Sequence, residues 1–255
     1  MEGIKYKKIE DSGSGPEEIK TLFRGVWADE LYSGQELPVG GSIFSEELTS
    51  KLKLDFDNFE DDLGGYTEEN MIDVFKTGEN QKQYEEYLNV YESDVDSYLH
   101  FICFQIQNKV ARLLEIDPVK RINAMQRNQM FSDGIPNLSD LKGKSMCAER
   151  AALAQFLLQR IGIESAYVSG VSSSVESGDD MEDHSFVVLK NRDGQTLIFD
   201  VARPNDLDNM PAVYKTGETF DYELLAGKEH LLVEAEEVLH GNKVYFGVGD
   251  ANAAR

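Results

Sequence analysis

Three residue types capable of nucleophilic chemistry stand in a telling order along this chain: Cys147, His184 and Asp200. A thiol becomes a strong nucleophile once it gives up its proton, and an imidazole accepts protons near neutral pH. A carboxylate beside the imidazole orients the ring and stabilises its cation. Together these are the parts of an acyl-transfer site that works through a covalent intermediate. Cys147 lies in Lys142-Gly143-Lys144-Ser145-Met146-Cys147-Ala148-Glu149-Arg150, just ahead of an apolar helical run. His184 opens one strand-like segment, and Asp200 closes the next.

The elements that must position them follow from local patterns. Ala148 to Ile161 has Leu153, Phe156, Leu157 and Ile161 at helical spacing, with Gly162 where a helix-stopping glycine belongs. Ser145 is the candidate N-cap, which places Cys147 in the first helical turn. The positive end of the helix dipole favours a thiolate there, and Lys144 acts in the same sense. A free cysteine on an apolar helix is more often a small buried hydrophobe. The partner strands therefore decide the matter.

Ser165 to Val171 reads as a strand, followed by an acidic loop, Ser172 to Asp183. Ser185 to Lys190 and Thr196 to Val201 then read as a hairpin around Asn191-Arg192-Asp193-Gly194. A loop of three residues, Arg192 to Gly194, pairs Asn191 with Gln195 if Gly194 is left-handed. Asp200 then faces Phe186, and side-chain alternation puts His184 and Asp200 on one face as diagonal neighbours. A loop one residue shorter or longer puts them on opposite faces. In the favourable register Asp200 orients His184, His184 takes the thiol proton, and Cys147 attacks a carbonyl carbon. The backbone N–H of Cys147 can donate to the oxyanion, with Gln126, Asn128 and Gln129 as candidates for a second donor.

The rest of the chain is less eloquent. Residues 1–15 read as a loose arm, Pro16 to Trp27 as a short helix, and 33–66 as loops and short elements. A helical pattern runs from about Asn80 to Glu115 and another from Val119 to Phe131, separated by Asp117-Pro118. Tyr214 to Gly227 has no clear form, and Leu231 to Ala235 and Lys243 to Val248 read as strands.

The net charge is −22, and residues 1–100 hold 24 acidic against 9 basic residues. Such a surface repels phosphate backbones and anionic lipid, so neither nucleic acid nor membrane is an expected partner, whereas a basic protein or peptide is attracted. Two cysteines make no disulfide framework. Met1 to Lys20 lacks the apolar centre of a signal peptide, and no apolar run nears the ~20 residues that span a bilayer. A soluble, cytoplasmic or otherwise reducing, setting is expected. Gly143-Lys144-Ser145 ends like a phosphate-binding loop, but Leu138 occupies the position of that motif's first glycine. Cys147, His184 and Asp200 lack the local pair of a zinc site, and Asp55, Asp57, Asp61 and Asp62 lack the spacing of a calcium loop. No metal or cofactor is expected.

The same residues carry a family resemblance. Gly143-Lys144-Ser145-Met146-Cys147-Ala148-Glu149-Arg150-Ala151-Ala152-Leu153, then Leu157-Leu158-Gln159-Arg160-Ile161-Gly162-Ile163 and Ala166-Tyr167-Val168-Ser169-Gly170, resemble the transglutaminase-like superfamily. His184-Ser185-Phe186-Val187-Val188, Ile198-Phe199-Asp200 and Arg203-Pro204-Asn205 resemble its His strand, Asp strand and exit. The match spans roughly 140–205. It implies an α+β, papain-like core with the cysteine at a helix N-terminus packed on an antiparallel sheet, and the triad Cys147, His184 and Asp200. It also implies peptidase, amidase, deamidase or transglutaminase chemistry.

The expectation is therefore an acidic, mostly helical region over 1–95 and a transglutaminase-like core over 96–255. The expected function is a cysteine-dependent hydrolase or acyl transferase acting on a peptide or glutamine amide through a thioester. The alternative is a protein of the same fold without the chemistry, holding a basic partner on its acidic surface.

Overall fold

The computed structural model describes residues 26–39, 50–63, 82, 97–117, 122, 124–174, 182–191, 194–205, 210–216, 232–238 and 241–247. The expected N-terminal arm, residues 16–25 of the expected first helix, and the centre of the acidic loop lie outside them. The chain is α+β. Its centre is α3 (Cys147–Arg160), the apolar run foreseen after Cys147. Ala151, Leu153, Ala154, Leu157 and Leu158 of this helix are fully buried. It packs against β4 (Ser165–Ser174), β5 (Glu182–Lys190) and β6 (Thr196–Asn205), and also against α1 (Ser97–Leu113), which itself reaches the sheet at β6.

The helix ends where Gly162, at φ 77°, takes the left-handed conformation. Ile163 N–H then donates to Leu158 O at 3.0 Å and Gly162 N–H to Gln159 O at 3.1 Å. Those two bonds satisfy carbonyls that a helix end otherwise leaves open, and they turn the chain back into β4.

Antiparallel pairing continues through β7 (Met210–Thr216), β8 (Leu232–Glu237) and β9 (Lys243–Gly247). The sheet curls until β9 returns to β4, pairing Val171 with Gly247 and Ser174 with Val244. The earlier half of the same β4 edge takes β1 (Val26–Ala28), with Val26 opposite Ser169. Side chains alternate between two cores. Tyr167, Val187, Leu189, Leu197, Phe199 and Val213 face the helices. Val168, Phe186, Val188, Ile198, Tyr214 and Phe246 fill the inside of the curl. There Phe246 meets Phe186 and Tyr214 edge-on, each at 5.0 Å between ring centroids.

The hairpin between β5 and β6 has the three-residue geometry. Asn191 N–H donates to Gln195 O at 3.0 Å, Gln195 N–H returns to Asn191 Oδ1 at 2.8 Å, and Gly194 sits at φ 76°. The ladder then runs from Lys190 opposite Thr196 to Val187 opposite Phe199.

The region before α1 departs from expectation. Its described residues include three strands and the helical turn Phe56–Leu63. Most of 1–95, and with it the expected helical pattern from Asn80 to residue 95 apart from the helical Lys82, lies outside the described residues. Val26 and Trp27 belong to β1, not to the end of a helix over Pro16 to Trp27. The free edge of β4 captures this backbone, a tertiary contact that overrides helical spacing. β2 (Glu36–Val39) and β3 (Ser50–Lys53) pair with each other, and the turn Phe56–Leu63 follows.

Two glutamines of α3 hold this region down. Gln159 accepts from Leu31 N–H at 2.9 Å and donates to Leu31 O at 3.2 Å, as a neighbouring strand does. Gln155 Nε2 bridges Asp29 O and Ser165 O at 3.2 and 2.8 Å. Phe56 stacks on Phe156 at 3.8 Å. The second expected helix is α2, Ala124–Asp133.

A side chain at Gly194 meets nothing within 4 Å, so any penalty there is conformational. Gly194→Ala is expected to cost about 1 kcal/mol in denaturant unfolding, and Gly194→Asn less, because asparagine tolerates positive φ. Equal, negligible losses for both would mean that the turn is not left-handed in solution.

Candidate functional site

The approach to Cys147 is built before the helix starts. Gly143 N–H donates to Leu114 O at 2.7 Å, which ties the incoming segment to the end of α1. Met146, not Ser145, is the N-cap, and Cys147 is the first helical residue. The reason lies in Glu149, a wholly buried carboxylate. Its Oε2 accepts from Met146 N–H at 2.6 Å, and its Oε1 accepts from Arg127 of α2 at 2.5 Å. A charge on the N-terminal turn is favoured by the dipole and satisfies an orphan donor, so this bond sets the helix start. Ser145 is displaced into the interior, where its hydroxyl has no partner.

Cys147 is half-buried, His184 is 7% exposed and Asp200 is fully buried. Continuing the β5–β6 register one step beyond its last pair puts Asp200 opposite Phe186 and diagonal to His184. The two side chains meet there, with His184 Nε2 and Asp200 Oδ2 at 2.7 Å. The Cys147 sulfur is near enough for its charge to act on the same imidazole. With Nε2 occupied by Asp200, Nδ1 is the nitrogen left for sulfur. Gly170 stands opposite His184 on β4 and puts no side chain beside the ring. The structure thus brings together all three residues singled out from the sequence.

Asp200 is held at both oxygens. Oδ1 accepts from Ala202 N–H at 3.1 Å, across the irregular register that separates Asp200 from Asn205. Such a break in pairing bends a strand and re-aims its side chains. Arg203 Nε stands 3.9 Å from Asp200 Oδ2, and its Nη2 donates to Ser172 Oγ at 3.1 Å. Burial works against the His184 cation, but the charge and hydrogen bond of Asp200, with the Cys147 sulfur, outweigh it and push the imidazole up to about 10. On the helix-facing side, Tyr167 Oη and Ser185 Oγ share a hydrogen bond of 3.1 Å, and burial pushes the Tyr167 phenol up.

The candidates for a second oxyanion donor all lie on α2. Gln126, Asn128 and Gln129 are exposed there, and Gln129 Nε2 donates to Asp133 at 2.6 Å. Their neighbour Arg127 turns toward α3, where it pairs with Glu149. Sequence reasoning also passed over Arg150. It sits three residues after Cys147, so the two share a helix face. Its Nη2 donates back to Ser145 O at 3.2 Å, which carries the guanidinium toward the helix start. Glu149 was legible, because an acid three residues after an N-cap is a recurrent helix-start signal.

No group of His, Cys, Asp and Glu suited to a metal occurs among the described residues, and no described helix is long and apolar enough to cross a membrane. Cys103 is wholly buried, and burial pushes its thiol up. Comparison of the chain with protein-family models, curated proteins and solved structures finds no match.

The imidazole result has a pH consequence. Folding raises the His184 value from 6.5 to about 10, so the stability contributed by this pair is complete below pH 6.5 and is lost as pH rises through 10. The His184 ring signals in NMR are expected to stay those of the cation at pH 8. In Asp200→Asn the ring should be neutral at that pH, and the fall in stability between pH 6.5 and 10 should flatten. Identical titrations in the two proteins would show that the carboxylate does not hold the proton.

Proposed function

We propose that this protein is a cysteine-dependent acyl transferase or hydrolase that attacks an amide carbonyl through Cys147. One observation carries the proposal: a buried carboxylate bonded at 2.7 Å to an imidazole on which the half-buried Cys147 sulfur, at the first turn of a helix, also acts. A structural histidine needs no thiol, and a structural thiol needs no exposure.

The reaction follows from the arrangement. With the proton already held on His184, Cys147 reacts as a thiolate, and sulfur forms a bond to the carbonyl carbon while the π pair moves onto oxygen. The N–H of Cys147 is free of any intrahelical partner at this position and faces the developing charge. On collapse the C–N bond breaks, the amine leaves with the proton from His184, and a thioester remains. Water, deprotonated by His184, then attacks the thioester carbon; the C–S bond breaks, giving a carboxylic acid and restoring the thiolate beside a protonated His184. An amine in place of water gives a new amide. Asp200 holds the ring in one tautomer and stabilises its cation throughout.

This chemistry agrees with the resemblance of residues 140–205 to the transglutaminase-like superfamily. A helix beginning with cysteine, lying on an antiparallel sheet that carries His184 and Asp200 on neighbouring strands, is the arrangement that resemblance implies. Hydrolysis is favoured over transfer to an amine, since no feature of the chain marks an amine site.

The competing possibility is a binding protein that keeps the fold without the chemistry and captures a basic partner on its acidic surface. Alkylation by iodoacetamide separates the two. Cys147 should react below pH ~8.5, the free-thiol reference, while Cys103 in the folded protein does not. His184→Ala should remove that advantage and lower turnover of any amide substrate by about 10² or more. If both cysteines react slowly and alike, with or without His184, the binding alternative holds. Ammonia release without chain cleavage would identify deamidation.

A further inference from the structure

We infer that Arg150 makes the immediate surroundings of Cys147 selective for an anionic acyl donor, an amide with a carboxylate beside its reacting carbonyl. This rests on the proposed role of Cys147 and adds the charge class of its substrate.

The argument is an account of oxygen atoms. Two carboxylates, Glu149 and Asp200, are close enough for their charge to act on Arg150, as is the Cys147 sulfur. Both oxygens of Glu149 are taken, by Met146 N–H and by Arg127. Both oxygens of Asp200 are taken as well, by His184 Nε2 and by Ala202 N–H. The same carboxylate has Arg203 at 3.9 Å. Arg150 is left with one hydrogen bond, to the neutral carbonyl of Ser145. Among the described residues it has no ion pair, and its Nε is buried without a partner.

Pairing Arg127 with Glu149 and Arg203 with Asp200 leaves Arg150 with no ion pair to a described carboxylate, Glu149 and Asp200 acting on it only from farther off. Arg150 is anchored one turn along the face that bears the nucleophile. A guanidinium stays charged when partly buried, and its fork suits a carboxylate. The thiolate is one anion that it can serve. An anion on the incoming substrate is the other, and the chain's −22 charge does not cancel this, because screening confines the distant charges to about 10 Å while the nearby one acts directly.

Two alkylating reagents of similar size and different charge test the inference. Iodoacetate and iodoacetamide both lose iodide as sulfur bonds to carbon, so the ratio of their rates at Cys147 reports the local field. In the folded protein at about 0.1 M salt, iodoacetate should be favoured by about tenfold relative to the unfolded chain, and raising the salt to about 1 M should erode that preference. Arg150→Gln should abolish it and Arg150→Lys should keep most of it. The salt dependence of the unmodified protein carries the test if Arg150→Gln does not fold. Amide peptides with Glu beside the reacting residue should then exceed those with Gln in kcat/KM, a difference that Arg150→Gln removes.

If iodoacetamide reacts in a His184-dependent way but the ratio ignores both Arg150 and salt, this inference is overturned and the catalytic proposal stands. If Cys147 reacts with neither reagent until the chain is unfolded, the catalytic proposal falls and takes this one with it.

Discussion

Asp200 has no contact with water, and a carboxylate buried in that way costs several kcal/mol unless its oxygens are bonded. The surroundings can be understood as the solution to that requirement. The imidazole of His184 binds one oxygen, the backbone beyond a break in β-pairing binds the other, and Arg203 stands beside the pair. Each partner fixes something in turn. The imidazole is held in one orientation with its second nitrogen toward sulfur. The Ala202 bond sets how β6 bends, and Arg203 links β6 to Ser172 of β4. Removing the carboxylate therefore disturbs three strands at once.

The same logic recurs at Glu149. It too is wholly buried and bonded at both oxygens, one to a backbone N–H and one to an arginine from another helix. A buried ion pair of this kind adds little net stability, since desolvation offsets attraction. What it determines is where α3 begins. A helix starting one residue earlier, at the Ser145 cap expected from sequence, would carry Cys147 away from the first position. Arg127 and Glu149 thus act on the thiol by setting backbone geometry.

How much of this was legible depended on the range of the forces involved. The helix after Cys147, its stop at Gly162 and the register of the β5–β6 hairpin follow from rules that act over a few residues, and the hairpin placed His184 beside Asp200 correctly. Parts governed by distant partners were hidden. Val26 and Trp27 form a strand because β4 offers an edge. Met210–Thr216 pairs with β6 and β8, although no alternation in its sequence announces a strand. The return of β9 to β4 joins segments far apart in the chain, and nothing local encodes it. The cap was misjudged for a related reason: serine is the better intrinsic cap, but the Glu149 bond depends on Arg127, which sits in another helix.

Charge divides in the same way between what composition reports and what geometry decides. A net charge of −22 describes the potential far from the surface and says that cations are drawn toward the molecule. Within a few ångströms of the sulfur, the balance depends on which carboxylate oxygens still have room for a donor. Glu149 is bonded to Met146 N–H and Arg127, and Asp200 to His184 and Ala202 N–H with Arg203 nearby. Arg127 and Arg203 thus each have a carboxylate partner and Arg150, among the described residues, does not. An acidic protein can therefore hold a locally cationic site without contradiction. Approach from a distance is governed by the sum of the charges, and selection at contact by the one guanidinium that the fold leaves beside the thiol.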